Sequence, residues 1–339
     1  GIGVSGIVFF ASGVSQLASK SLDSVDSAID NGSKKVTILN PYKYVDWDNF
    51  GQYKANLHCH TKLHKREKDG TIIEYEMDNY DESKGVAYGS DGYYLPDTVI
   101  DQYKRYGFTI LAITDHNPFY GYGKVAESYS TLTTYPWTLW NRKPEELGMI
   151  AVEGKELTNP QDFEHDISLF SNLGDVDQSD GYDRVKRLKA VADNMGLLSL
   201  AHPRRNISVS DMVNQLRQYD VSVALEVFTR SARRGTRGAL SYWDEILKES
   251  MPLLPIWGMS VDDMHTFDQL GTNWSMHLLP ELRLGAVRQS LVRGEFYFSI
   301  DPNGTDVKAH HPIKAPVIKK IEVKERKINI DCKNANRIC

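Results

Sequence analysis

From residue 51 onward the chain repeatedly follows a near-continuous apolar run with an amphipathic helical pattern, and this alternation limits its fold more than any other feature. The runs "FTILAIT", "MIAVEG", "LLSLA", "VSVALEVF" and "LLPIWGMSV" show no polar face, as expected of strands covered on both sides. "YKANLHC" reads as the first strand of the series. Between the runs, "LPDTVIDQYKRYG" sets Val99, Ile100 and Tyr103 on one helical face, with Pro96 in the first turn and Gly107 as the stop. "YDRVKRLKAVADNMG", ended by Gly196, reads as a helix, as does "SDMVNQLRQY" with a Ser or Asp cap. "ALSYWDEILKES" and "PELRLGAVRQSLVRG" complete the set. The pattern predicts an α/β chain with a parallel sheet clothed in helices. About seven such units in ~260 residues suit a closed or nearly closed βα barrel better than an open sheet.

Two stretches break the rhythm. Residues 62–89 are charged, tyrosine-rich and too long for an ordinary loop, so they read as an insertion. Residues 316–331, "PVIKKIEVKERKINID", alternate like one or two β-strands. They either pair with the main domain or begin a further β-module. The expected organisation is an N-terminal extension over 1–50, a barrel over 51–305 and a β-like tail over 306–339.

Composition narrows the function classes. A formal net charge of −5 and a pI near 6.1 argue against nucleic acid as a generic partner, so anion binding must come from a local cluster. Cys59, Cys332 and Cys339 form neither a CxxC pair nor an even disulfide framework. No run approaches the ~18–20 apolar residues that a membrane span needs. The start, "GIGVSGIVFFASGVSQLASK", is apolar without a basic leader, and reads either as the remnant of a secretory signal or as a short docked helix. Cytoplasmic and exported locations both stay open, as does the oligomeric state.

Chemistry concentrates where the apolar runs end. In "NLHCHT" an extended backbone turns His58 and His60 to one side and Cys59 to the other, a half-site for a divalent metal. Later runs end in Asp115 and His116, in Glu153 and Glu156, in His202, in Glu226, and in Asp262, Asp263 and His265, while His165 opens "HDISLF". Strand C-terminal ends converge on one face of a parallel barrel. Five of the ten histidines end such runs, and His165 opens one. Converging carboxylates repel without cations between them, so several metals are expected.

The motifs "HCH", "SDG", "TDHN", "GKE", "AHP" and "DMH", in this order, resemble the PHP family, named for polymerase and histidinol phosphatase. The resemblance covers roughly residues 54–300. It implies a distorted (β/α)7 barrel holding two or three divalent ions, commonly Mn, Fe or Zn. By the family pattern His58, His60, Glu156 and Asp263 hold the first ion. Glu156 bridges to a second with His165 and His202, and Asp91, His116 and His265 hold the third. Asp115 and Asp262 then stand behind the ligands, and Glu153 belongs to the strand or rim. The family carries its Ser-Asp-Gly soon after the HxH pair, whereas here "KDG" (68–70) comes early and "SDG" (90–92) late. Asp91 is preferred, because "SDGYYLP" runs directly into the helix and strand that deliver "TDH".

Imidazole and carboxylate ligands without thiolate suit Mn, Fe or Zn in a hydrolytic site, where such ions lower the pKa of a bound water. Arg204 and Arg205 follow His202, and Arg230, Arg233, Arg234 and Arg237 follow Glu226. Guanidinium forks match phosphate oxygens, so Arg204, Arg230 and Arg234 are the expected substrate contacts, with Asp263 and Arg204 in catalytic roles. The chain is thus expected to be a metal-dependent phosphoesterase acting on a small phosphorylated metabolite. A hydrolase of a non-phosphate bond and a non-catalytic binder of a phosphorylated or polyanionic ligand are the alternatives.

Overall fold

The apolar runs become strands of two five-stranded sheets. The computed structural model describes residues 25–29, 35–61, 64–66, 72–74, 92–116, 134–158, 164–171, 173, 184–229, 236–300, 316–324 and 327–335. Its first half contains β1 (Val25–Ile29), β2 (Lys35–Leu39), β3 (Gly51–Asn56), β4 (His64–Arg66), β5 (Ile72–Glu74), α1 (Pro96–Arg105), β6 (Ile110–Ala112), α2 (Pro144–Leu147), β7 (Ile150–Val152), β8 (Gly154–Thr158) and β9 (His165–Leu169). Then come α3 (Arg184–Asp193), β10 (Leu197–Ala201), α4 (Val209–Leu216), β11 (Ser222–Phe228), α5 (Thr236–Ser250) and β12 (Trp257–Ser260). The chain continues through β13 (Asn273–Leu279), α6 (Leu284–Arg293), β14 (Phe296–Ile300), β15 (Val317–Lys324) and β16 (Lys327–Lys333).

One sheet has the order β14-β13-β3-β6-β7 and the other β12-β11-β10-β9-β8. The expected parallel pairing is found in part of each sheet. β3, β6 and β7 are mutually parallel, as are β10, β11 and β12, but β9 runs antiparallel to β8 and β10, and β13 antiparallel to β3 and β14. Among the described residues no continuous ladder closes the layer. Two isolated parallel bridges, Cys59 to Met264 and His116 to Glu156, join one sheet to the other. Hydrophobic periodicity reports burial but not strand direction, which is why "HDISLF" concealed its own.

Alternation along the strands divides the core. In β6, Ile110 and Ala112 pack with residues of both sheets, including Ala55, Val152, Leu197 and Met259. Leu111 and Ile113 point the other way, onto Val99, Ile100 and Tyr103 of α1. In β10, Leu198 and Leu200 face Leu188, Met212, Tyr242 and Ile246 of α3, α4 and α5. Helix α1 buries Pro96, Val99, Ile100 and Tyr103 and ends before Gly107, at φ 77°. Two local expectations shift. The α4 cap is Ser208, whose side chain accepts from the Asp211 amide, two residues ahead of the expected segment. Met195, at φ 55°, takes the left-handed turn after α3. Gly196 instead allows close approach, since a Cβ there would lie 2.5 Å from Ser171 Oγ.

The tail forms the β15–β16 hairpin, which buries Ile318 and Ile321 against the outer core. Tyr297 Oη donates to Pro316 O at 3.0 Å and Gln52 Nε2 to Ile318 O at 2.5 Å. Of the insertion, only the paired backbones of β4 and β5 are described; the rest lies outside the described residues, as do Asp69 and Asp91.

Candidate metal centre

The strand ends that carry the candidate ligands meet where the two sheets abut. Beyond Asn56 the chain stays extended: His60 N–H donates to Met264 O at 2.8 Å, and Asp263 N–H to His58 O at 3.0 Å. This pairing turns His58 and His60 inward and leaves Cys59 buried on the far side, its thiol donating to Ala112 O at 3.3 Å. On the neighbouring strand end Thr114 N–H donates to Cys59 O and Glu156 N–H to Thr114 O, which seats His116 beside Glu156. Because β9 is antiparallel, its first residue, His165, lies opposite Thr158 and Ala201, at the same edge as the last residues of its neighbours. His202 and Asp263 hold φ of 24° and 49°, a left-handed conformation that is strained for non-glycine residues and must be held by surrounding contacts.

Glu156 is the centre of the cluster. Its Oε2 lies 3.3 Å from His58 Nε2, 3.1 Å from His60 Nε2 and 3.3 Å from His116 Nδ1. Its Oε1 faces the other way, 2.5 Å from His165 Nδ1 and 3.1 Å from His202 Nε2. Asp263 Oδ1 is 3.3 Å from both His58 Nε2 and His60 Nε2, and those two nitrogens are 3.0 Å apart. Metal bonds of about 2.0–2.2 Å separate neighbouring ligand atoms by roughly 3.0–3.5 Å. The contacts of His58 and His60 with each other and with Asp263 have such edge lengths, and His58–His60–Asp263, His60–His116–Glu156 and Glu156–His165–His202 each gather their ligand atoms closely enough to fit a divalent ion. His265 stacks on the His60 ring, centroids 4.3 Å apart.

The field in this buried pocket is polarised. Burial opposes a charge on His58, yet Glu226, Asp263 and Glu156 around it hold its pKa well above the usual imidazole range. Burial likewise opposes ionisation of Glu156, but His116 and His58, with hydrogen bonds from His165 and His202, hold its carboxyl well below the usual range. A dication replacing those protons would meet the same negative field.

Carboxylates behind the ligands fix the backbone. Asp115 accepts from Thr61 N–H at 2.7 Å and from the Thr61 hydroxyl. Asp262 accepts from the amides of Gly271, Thr272 and Asn273 and from Tyr103 Oη, tying the end of β12 to the start of β13. Asn56 joins these groups, accepting from Asp262 N–H and donating to His58 O. Glu164 and Asp166, on either side of His165, are buried with Arg184 and Arg187; Arg187 Nη1 lies 3.0 Å from Asp166 Oδ2 and donates to Leu157 O. Glu153 is half-buried, and burial raises its carboxyl pKa.

The structure therefore brings His58, His60, His116, Glu156, His165, His202, Asp263 and His265 together. Arg204 is exposed on the loop two residues past His202, whereas Arg205 turns away to Glu245 at 2.7 Å. Asp91, Arg230, Arg233 and Arg234 lie outside the described residues, as does the Arg237 side chain. Sequence reading noted Glu226 as a strand-end carboxylate but gave it no role. It is buried, with Oε1 2.8 Å from His58 Nδ1 and Oε2 accepting from His202 N–H at 2.9 Å.

No family model matches the chain, and no curated protein does. Solved structures do. A two-domain protein from Bacteroides vulgatus, containing a predicted PHP-like metal-dependent phosphoesterase, matches at 14% identity and TM-score 0.52, over 85% of this chain and 76% of that one. A candidate metal-dependent phosphoesterase from Bifidobacterium adolescentis matches at 17% identity and TM-score 0.39, over 74% and 98%. A lesion-specific endonuclease from Pyrococcus furiosus matches at 13% and 0.39, over 74% and 58%. The chain shares the PHP-like fold that its motif order resembles. No helix among the described residues is long and apolar enough to cross a membrane.

Proposed function

We propose that this chain is a metal-dependent hydrolase of phosphoesters, with the cluster around Glu156 as its metal centre. The observation that carries the reading is that His58 Nε2 and His60 Nε2 lie 3.0 Å apart and each stands 3.1–3.3 Å from both Asp263 Oδ1 and Glu156 Oε2. In this reading those four hold one ion, and the second Glu156 oxygen, with His165 and His202, holds another. His116, His265 and Asp91 hold a third. Gly92 supports the inclusion of Asp91: its Cα packs on the backbone of His60 and Thr61, and Tyr93 N–H donates to His265 O at 3.0 Å. The residues suit Mn, Fe or Zn, which supply Lewis acidity and an activated water when bound. Arg204, leaving the strand end beside His202, orients the phosphoryl group; Arg230 and Arg234 complete its contacts.

The same reading extends to the fold. β7 and β8 are separated only by Glu153 and serve as one bent strand. With the two bridges at the junctions, the layer then runs β3, β6, β7–β8, β9, β10, β11, β12 and back to β3, a distorted seven-stranded barrel over 51–305 with the hairpin as its appendage. One structural match is a lesion-specific endonuclease, and the expectation that nucleic acid is excluded finds no support.

Elemental analysis of protein purified without chelator, followed by a substrate panel, tests the proposal. Two or three transition-metal ions per chain are expected, with turnover of phosphomonoesters, phosphodiesters or a nucleic acid but not of amides or lactones. Asp263→Asn and Glu156→Gln should abolish turnover while keeping the fold. A reproducible metal content near zero, with no activity on adding Mn²⁺ or Zn²⁺, refutes it.

A further inference from the structure

Most polar groups near the cluster either belong to it or tie down a neighbouring loop. Glu226, grouped with His58 and His202 as a possible ligand set, grips both of those histidines. It sits on β11, in the interior of one sheet, and its carboxylate reaches across to His58, which follows β3 of the other. Its second oxygen is taken by the backbone amide of His202, at the end of the adjacent strand β10. One carboxylate thus spans three strand ends and braces two histidines.

We propose that Glu226 is a positioning residue that sets the metal affinity of the centre by fixing the tautomer and orientation of His58 and the strained backbone of His202. The inference rests on the reading of the cluster as a metal centre. Glu226 Oε1 is an acceptor, so His58 carries its proton on Nδ1, which leaves Nε2 as a lone-pair donor. That nitrogen is the one 3.3 Å from Asp263 Oδ1 and 3.3 Å from Glu156 Oε2. Outer carboxylates that accept from a ligating imidazole typically contribute 10–100-fold to metal affinity.

The second contact uses a different property of the carboxylate. The His202 amide can only donate, and φ of 24° at His202 needs an external partner to hold it. Two donors approach from two directions, and only a side chain with an acceptor on each side satisfies both. Glutamine offers one acceptor and one donor group, so it must present N–H either to His58 or to the His202 amide. Among the described residues no Lys or Arg pairs with Glu226, which is buried.

Metal affinity of Glu226→Gln and Glu226→Asp, measured by Zn²⁺ and Mn²⁺ competition with a chromogenic chelator, tests this directly. Aspartate keeps the charge but retracts both oxygens by one methylene, so each variant probes a different half of the argument. Both should bind the metal 10–100-fold more weakly. In a His58→Ala background, Glu226→Gln should add less than about threefold, because its main route of action is already gone. Apo-protein circular dichroism, recorded alongside, should match wild type. Wild-type affinity in either variant, or an undiminished effect of Glu226→Gln in the His58→Ala background, overturns the assignment. Wild-type protein that binds neither metal overturns the metal-centre reading itself, so the two failures are distinguishable.

Discussion

Replacing Gly92 with alanine puts one methyl group where the structure has no room for it. The added Cβ would stand 2.5 Å from Thr61 N, 2.6 Å from His60 C and 2.7 Å from His60 O, against an ordinary contact of about 3.4–4 Å. Something must therefore move by the order of 1 Å. The His60–Thr61 backbone is held by the bond from His60 N–H to Met264 O at 2.8 Å and by Thr61 N–H to Asp115 at 2.7 Å. The opposite side is held by Tyr93 N–H to His265 O at 3.0 Å. Either choice displaces a candidate ligand, and overpacking of this kind costs about 1–3 kcal/mol. A centre tolerates only about 0.5 Å of misplacement, so metal content should fall well below wild type, with Tm lowered by a few degrees. Gly107→Ala is the control. Gly107 has φ 77° and no atom within 4 Å of its would-be Cβ, so the substitution costs about 1–2 kcal/mol of backbone strain far from any ligand. Thermal unfolding and elemental analysis of both variants decide the matter. If Gly92→Ala retains wild-type metal and rate, the packing of 92 onto His60 does not position the centre.

Asp91→Ala should lower metal content while Asp69→Ala should not; the reverse result would place the inserted segment after the ligand. Removing residues 65–86 should preserve metal binding and change KM or substrate preference, as expected of a lid. Arg204→Ala should weaken a phosphorylated substrate by about 1.5–3 kcal/mol, read as a rise in KM, and an equal loss on a neutral ester would refute a phosphate contact. His277 is buried mid-strand in β13, with Nδ1 2.9 Å from Ser290 Oγ, and burial depresses its pKa to about 3. The unfolded chain takes up a proton near pH 6.5 that the folded chain refuses. Stability is therefore intact above pH 6.5 and falls toward pH 3 by up to about 1.4 kcal/mol per unit. In chelator-stripped protein, urea unfolding of His277→Gln should show a shallower acid limb than wild type, and an unchanged limb would show that His277 does not titrate on unfolding.

Much of this centre was legible without coordinates. A strand backbone alternates its side chains, so "HCH" alone implied two imidazoles on one face and a buried thiol on the other. The apolar runs located β3, β6, β7, β10, β11 and β12, because a strand covered on both faces has no polar positions to spare. Those runs end in the residues that cluster. Strand direction was beyond local reading. His165 opens its strand where its partners close theirs, and only the antiparallel course of β9 explains how it reaches Glu156. Glu226 was beyond it for a related reason. A glutamate at a strand end has the same local pattern whether it ligates, pairs or faces water. Its role depends on His58, 168 residues away in sequence, and on a separation of 2.8 Å that only the packing of one sheet against the other creates. The order of residue types was written in the chain; the direction of β9 and the reach of Glu226 came from tertiary packing, because both depend on contacts between segments that no local pattern connects.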